Sequence, residues 1–254
     1  MAAFHRYIGI DYSGAGEPSD RQPGLQVYRS TPEALAARVA PPDTRTTVNW
    51  SRRELAGWLT EEIERAEAPV IVGIDHAFSF PASYMQRHGL TTWDAFLEDF
   101  DQHWPTRERG VEALRAGNAR TGSNVEMRLA DQWTSSAKSV FLFDVQGSVA
   151  KSTHAGIPWL TQLRRQLGER VHFWPFDGFE VPAGRSVVAE VYPSMVRRRY
   201  VRTARSVDEH DAMAVCAWLR ERDTAGFLGR YLEPPLTEAE RELARLEGWI
   251  LGVT

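Results

Sequence analysis

The strongest constraint on the fold is a pair of short apolar runs that each end in an aspartate. The first runs from Tyr7 to Asp11 and the second from Val70 to Asp75, and they end in the nearly identical sequences Ile-Gly-Ile-Asp and Val-Gly-Ile-Asp. Continuous apolar runs of this length are typical of buried strands, and the second indicates a central one. The sequence therefore predicts an α/β protein in which two buried strands each end in a carboxylate.

The segments around these two strands predict a mixed sheet. Further strands are predicted at residues 25–29, 46–50, 140–143, 171–174 and 187–191. Helices are predicted at residues 52–67, at 158–166, from near 208 through 218, and as two short helices within 223–247. Consecutive early strands favour antiparallel pairing, whereas the later alternation of strands and helices favours parallel pairing. The expected fold is a mixed sheet of five or more strands with helices on both faces.

The middle of the chain has a different character from the rest. Residues from about 82 to 136 are rich in tryptophan and charged side chains, and stretches near 91–103 and 107–117 have helical patterns. We interpret this segment as a helical insertion on one face of the sheet. A length of 254 residues fits one large domain, so residues 1–254 are predicted to form a single domain with this insertion.

Composition excludes several classes of protein. The net charge of −4 excludes a uniformly basic nucleic-acid-binding surface, so binding of a polyanion would require a local basic patch. The single cysteine, Cys216, excludes an intrachain disulfide and a cysteine-cluster zinc site. Neither a signal-peptide pattern nor 18 consecutive apolar residues is found in the sequence, which predicts a cytoplasmic protein that does not contact membranes.

Acidic residues at strand ends and at the start of the late helix suggest a metal site. They are Asp11, Asp75, Glu190, Asp208 and Asp211. If these carboxylates converge, a cation is needed to offset their repulsion, and oxygen donors suit Mg²⁺ or Mn²⁺. Two such ions can activate water against a phosphodiester. The alternative is structural, with Asp208 as the N-cap of its helix and Asp211 as a first-turn acid.

Basic residues near this cluster are candidates for binding phosphate. Arg197, Arg198 and Arg199 belong to an arginine-rich run without acidic residues, between Glu190 and Asp208 in the sequence. Lys151 and His154 follow the Gly-Ser sequence at residues 147–148 and could contact a phosphate or carry a proton. The alternatives are a solvated helix face for the arginines and a flexible polar loop for the other two residues.

Four segments of the chain together resemble the DUF429 family, whose members are predicted nucleases with a ribonuclease H-like fold. The matching segments are Ile8-Gly9-Ile10-Asp11, residues 73–81 (GIDHAFSFP), residues 189–193 (AEVYP) and residues 208–214 (DEHDAMA). Residues 147–150 and 156–164 also resemble a segment found in part of that family. The sequence departs from a common family pattern at His76-Ala77-Phe78, where a proline-rich turn is often found.

The resemblance implies a role for each of these carboxylates. It implies Asp11 as a bridging metal ligand, Asp75 as a second strand ligand, and Asp208 and Asp211 as helix ligands, with Glu190 as an auxiliary acid. It also implies a ribonuclease H-like fold. That superfamily includes nucleases, junction resolvases and transposases, and it has distant relatives among the actin-like ATPases, so fold alone does not settle the reaction.

Three functions remain open at this stage. The first is a metal-dependent phosphodiester hydrolase that acts on nucleic acid or another phosphodiester. The second is a nucleotide-binding phosphotransferase of the actin-like group, although a clear second phosphate loop and an adenosine motif are missing from the sequence. The third is a binding protein that kept the carboxylates without catalysis. The sequence predicts neither the type of substrate nor the oligomeric state.

Overall fold

The structure, a computed structural model, describes residues 2–42, 49–134 and 136–254. Its strands are β1 (Arg6–Asp11), β2 (Gln26–Ser30), β3 (Ala37–Arg38), β4 (Val70–Asp75), β5 (Val171–Trp174) and β6 (Ser186–Glu190). Its helices are α1 (Arg52–Glu64), α2 (Ala82–Arg87), α3 (Trp93–His103), α4 (Val111–Arg115), α5 (Leu129–Gln132), α6 (Ala150–Leu167), α7 (Val207–Thr224), α8 (Leu228–Leu232) and α9 (Glu238–Glu247). None of the described helices is long and apolar enough to span a bilayer.

The six strands form one mixed sheet in the order β3-β2-β1-β4-β6-β5. Strands β1, β2 and β3 pair antiparallel, whereas β4 pairs parallel to both β1 and β6, and β5 pairs parallel to β6. The expected mixed α/β sheet is therefore confirmed. Because β1 and β4 are parallel neighbours, their carboxyl ends meet at one edge, and Asp11 lies in register with Asp75.

The alternation of side chains along the strands produces two cores, one on each face of the sheet. Ile8 and Ile10 of β1 point into the first core, which α1 and α6 cover, whereas Tyr7 and Ile71 point into the second. Helix α7 covers the second face and packs mainly on β1 and β2. Helices on both faces explain why these strands are apolar throughout rather than alternating with polar residues.

Two of the predicted strands differ from the structure. Residues 140–143 form turns, with the Leu142 N–H donating to the Ser139 carbonyl at 3.1 Å, although Val140, Phe141 and Phe143 are buried. This apolar run fills the core without joining the sheet, which periodicity cannot distinguish from a short buried strand. Of the strand predicted at 46–50, residues 46–48 lie outside the described residues, and the third strand of the sheet is Ala37–Arg38.

Helix α6 begins eight residues before the helix expected at 158–166, because Pro158 lies inside it rather than at its start. Proline has no N–H for the carbonyl four residues earlier, which here is the carbonyl of His154. The Thr106 hydroxyl donates a hydrogen bond of 2.6 Å to that carbonyl. A side chain from the middle segment thus compensates the missing helical bond and allows the helix to extend back to Ala150.

The middle segment contains four of the described helices, α2 to α5, and it contributes directly to the first core. Phe80, Phe96 and Phe100 are fully buried, and the Phe80 ring makes edge contacts with both of the others at centroid distances of 5.1 and 5.6 Å. Trp104 is also fully buried and packs against His154 at 4.4 Å. The aromatic residues of this segment therefore pack mainly as core.

Candidate functional site

Two glycines allow helix α7 to approach the sheet closely enough to bring its acidic first turns to the ends of β1 and β4. A Cβ atom at Gly9 would lie 2.3 Å from the Ala212 carbonyl oxygen and 2.5 Å from the Cys216 amide nitrogen. At Gly73, which is in register with Gly9, a Cβ would lie 2.8 Å from methyl groups of Val191 and Val215. The glycine two residues before each aspartate is thus required by helix packing.

The start of α7 is set by Ser206 and not by Asp208. The Ser206 hydroxyl accepts a hydrogen bond of 3.1 Å from the Glu209 N–H, and the Glu209 carboxylate accepts one of 2.8 Å from the Ser206 N–H, which completes a capping box. The alternative in which Asp208 caps the helix is therefore wrong. Its carboxylate instead faces the loops beside β1, because a Cβ at Gly24 would lie 3.6 Å from both Asp208 Oδ2 and Ser13 Oγ.

Asp11 and Asp75 form a close pair of acidic side chains at the sheet edge. A hydrogen bond joins these side chains. Burial is the main cause that raises the pKa of Asp11 far above its ordinary range, and the charges of the three other aspartates add to the shift. Burial also raises the pKa of Asp75 to about 7, against the opposing effect of the hydrogen bond from Asp11. Such shifts are typical of crowded carboxylates that no cation balances.

Asp211 is the third member of this group, and only one of its oxygens has a partner. Its side chain is 10% exposed, and Oδ2 accepts a hydrogen bond of 2.9 Å from Arg197 Nη1. The other oxygen, Oδ1, is buried and has no hydrogen-bond partner. Burial raises the pKa of Asp211, and the Arg197 guanidinium lowers it in part. Burial raises the pKa of Asp208 as well.

Glu190 was expected to be an auxiliary acid near the cluster, but it lies in a separate ion pair. The guanidinium of Arg128, which is 1% exposed, donates to both Glu190 oxygens at 2.7 Å. The same guanidinium donates to both Asp131 oxygens at 2.8 and 3.1 Å. Burial raises the pKa of Glu190 against the opposing effect of Arg128. With both oxygens held by Arg128, Glu190 is not free to act as an acid in this arrangement.

A polar cleft of about 860 Å³ opens in front of the aspartates. Its lining includes Asp75, Asp208 and Asp211 on one side, together with the cationic residues Lys138, Arg197 and Arg198. The hydroxyl groups of Tyr12, Ser152 and Tyr192 are on side chains that also line it. The cleft thus combines carboxylates, cations and hydroxyls, as expected where a cation and an anionic ligand bind together.

The other basic candidates are placed differently. Arg199 is exposed and does not line the cleft, and the Lys151 ammonium pairs at 2.5 Å with Glu112, away from the lining. His154 is fully buried among aromatic rings, and its Nδ1 bonds the Ala150 carbonyl at 2.8 Å. Burial lowers its pKa to about 3. The prediction that His154 contacts substrate is corrected, because residues 150–154 belong to helix α6 and not to a loop, and His154 lies on the buried face of that helix.

Sequence reasoning missed two of the charged residues at or near the site. Arg128 lies in the middle segment, where nothing in its neighbours distinguishes a buried arginine from a solvated one. Lys138 is one of only two lysines in the chain, and this rarity was the signal that could have drawn attention to it. Its Nζ donates a hydrogen bond of 2.5 Å to the Gln146 carbonyl.

The oxygen donors of the aspartates fit a hard divalent ion, but the positions of their side chains in this structure are not those of a metal site. Asp11, Asp75, Asp208 and Asp211 offer only oxygen donors, and Asp211 Oδ1 is buried without a partner. Within the described parts of the chain, however, no three Asp, Glu, His or Cys side chains are drawn together in a geometry that could hold a metal. One of the aspartates, Asp211, is paired with Arg197.

Searches of the chain against protein-family models, curated proteins and solved structures found no match. The resemblance to the DUF429 proteins therefore rests on the motifs in this sequence.

Proposed function

We propose that this protein is a metal-dependent phosphodiester hydrolase with a ribonuclease H-like fold. The observation that carries the proposal is the placement of Asp11 and Asp75 in register on adjacent parallel strands, with helix α7 presenting Asp208 and Asp211 beside them. Burial raises the pKa of all four carboxylates, and the charges of the other three add to the shift at Asp11, as is typical of carboxylates that bind a cation. The basic side of the same cleft suits an anionic substrate.

Each group of residues has its own task in this proposal. Asp11, Asp75, Asp208 and Asp211 would hold Mg²⁺ or Mn²⁺. When bound, such ions supply an activated water and stabilise charge on the phosphate. Glu190 takes no direct part, because it pairs with Arg128.

The cationic residues of the cleft would bind and orient the phosphate. Arg198 is exposed beside the aspartates, and Lys138 lines the cleft together with Ser152. Together with Arg197, they supply the local basic residues that binding of a polyanion would require in a protein with a net charge of −4. Nucleic acid is the leading substrate, and a smaller phosphodiester is compatible with a cleft of about 860 Å³.

The test is cleavage of a substrate panel by the purified protein in Mn²⁺ or Mg²⁺. The panel contains single- and double-stranded DNA and RNA and the small diester bis-(p-nitrophenyl) phosphate. Asp11→Asn is expected to reduce cleavage by at least about 10³-fold while it keeps the fold, because it removes a carboxylate that no neighbour replaces. Asp94→Asn, an equally conservative change at an exposed side chain of α3, is the control and should keep wild-type activity.

Equal cleavage by wild type and folded Asp11→Asn would rule the proposal out. Tight binding of ATP by calorimetry, without cleavage of any substrate in the panel, would instead favour the actin-like phosphotransferase. Absence of both divalent-ion binding and cleavage would favour a non-catalytic binding protein.

A further inference from the structure

Arg197 forms an ion pair with Asp211, one of the proposed metal ligands. Its Nη1 lies 2.9 Å from Asp211 Oδ2, and both residues line the cleft with Asp75. This arginine thus pairs with one of the carboxylates that would bind a divalent ion.

The ion pair leaves Asp211 incompletely satisfied. Asp211 Oδ1 is buried and has no hydrogen-bond partner, although the carboxylate as a whole is only 10% exposed. Burying an acceptor without a partner costs free energy, about 1–3 kcal/mol for a polar group. Arg197 therefore bonds Oδ2 of Asp211 and leaves Oδ1 free to coordinate a cation.

The backbone of Arg197 is held, whereas its side chain can leave. Residues Arg197–Arg199 form a short 3-10 turn, and His210 Nε2 lies 3.1 Å from the Arg197 carbonyl oxygen. The Arg197 side chain is 39% exposed, and its one described side-chain hydrogen bond joins Nη1 to Asp211. Because Arg197 already lines the cleft, turning its side chain away from Asp211 would break this one ion pair.

We propose that Arg197 is an internal competitor for the divalent cation. In the metal-free protein its guanidinium holds Asp211, and cation binding releases it into the cleft, where it binds the anionic substrate. This inference rests on the cation site of the proposed function.

The first experiment is calorimetric titration of the full chain with Mn²⁺ alone. Arg197→Gln is expected to bind Mn²⁺ on the order of tenfold more tightly than wild type, because a positive charge beside the site no longer competes. Arg197→Lys keeps the charge and should stay near wild type. Arg198→Gln removes a neighbouring charge that has no described partner and is the matched control, with a much smaller change expected.

A second measurement distinguishes competition from a merely structural role. Without metal, Arg197→Gln should lower the Tm, because Asp211 loses its partner, and Mn²⁺ should then raise the Tm by more than it does in wild type. In wild type, chemical modification of Arg197 by phenylglyoxal should increase when Mn²⁺ is added, while modification of Arg198 should not. This last readout needs no variant.

Each result has a distinct meaning. Equal or weaker Mn²⁺ binding by Arg197→Gln, with normal binding by wild type, would overturn the role of Arg197 and leave the proposed hydrolase in place. Unchanged phenylglyoxal modification of Arg197 with Mn²⁺ bound would do the same. If wild type, Arg197→Gln and Arg198→Gln all fail to bind Mn²⁺, the metal-dependent hydrolase is itself overturned, and this inference with it.

Discussion

Two groups of carboxylates lie near each other in this protein, and they differ in how their negative charge is balanced. Glu190 and Asp131 are buried around Arg128, whose guanidinium bonds all four of their oxygens. Among the described residues, no arginine donates a hydrogen bond to Asp11 or Asp75, and burial raises the pKa of both. The first group is a closed structural ion pair network, whereas the second remains open toward a cleft.

The two groups differ in whether an arginine balances their negative charge. The sequence shows both only as acidic residues, so it does not distinguish a structural carboxylate from a candidate site residue. A buried carboxylate that is fully paired contributes to one fixed arrangement and resists removal of its partner. A carboxylate that is crowded and unbalanced costs stability, and such a cost is typical of binding and catalytic sites. Asp211 is intermediate, since Arg197 pairs with one oxygen and leaves the other without a partner.

The largest expected effect comes from breaking the closed network. Arg128→Met would leave Glu190 and Asp131 buried without a cationic partner, so we expect a loss of about 3–5 kcal/mol in the free energy of unfolding, measured by urea denaturation. The loss should be greater at about pH 8 than at about pH 5, because a buried Glu190 without its arginine is protonated, and cheaper to bury, in acid.

The control for this prediction removes the charges as well as the arginine. A triple variant, Arg128→Met with Glu190→Gln and Asp131→Asn, should recover a large part of the lost stability, because no buried charge remains. A triple variant as unstable as Arg128→Met alone would mean that Arg128 acts by filling space and not by balancing charge.

An intermediate effect is expected from moving helix α7 away from the open group. At Gly9 an added Cβ would meet backbone atoms of α7 at 2.3 and 2.5 Å, so Gly9→Ala must displace the helix, at a cost of about 1–3 kcal/mol or more. At Gly73 the nearest atoms are side-chain methyl groups at 2.8 Å, which can shift more easily. Gly73→Ala is therefore the matched control.

Both glycine variants are measured by thermal denaturation and by Mn²⁺ binding. Gly9→Ala should lower both the Tm and the affinity for Mn²⁺ more than Gly73→Ala does, because Asp208 and Asp211 move with the helix. Equal losses in the two variants would show that the close contact at Gly9 does not determine where these aspartates lie.

The smallest expected effect is opposite in sign. The pKa of Asp11 is higher in the folded protein than in the unfolded chain. The folded protein therefore loses stability as the pH rises from the unfolded pKa of Asp11 to its folded pKa. Asp11→Asn removes the ionisable group and should stabilise the metal-free protein by about 1–2 kcal/mol at about pH 8, with no gain near pH 4. Urea denaturation at the two pH values measures it.

A destabilised Asp11→Asn protein at the higher pH would indicate that Asp11 is a structural residue like Glu190. A stabilised protein that no longer cleaves substrate would place Asp11 on the functional side of the comparison.

Much of the fold could be read from local patterns. Strands Val70–Asp75 and Val171–Trp174 have the bounds that their apolar runs predict, and the helix predicted at residues 52–67 begins at Arg52. The failures have a common cause. The conformation at residues 140–143 and at Pro158 depends on tertiary contacts. Residues 140–143 fill the core, and the Thr106 hydroxyl replaces the helical hydrogen bond that Pro158 cannot donate.

The sequence by itself determined that two buried strands end in Asp11 and Asp75 and that each strand has a glycine two residues earlier. Apolar periodicity and backbone requirements are local properties, so a single chain displays them. Only the tertiary structure decided that Arg128 pairs with Glu190, that Arg197 pairs with Asp211, and that His154 is buried. Charge pairing depends on which side chains meet across 14 to 62 residues of sequence, and this distance in the chain carries no local signal.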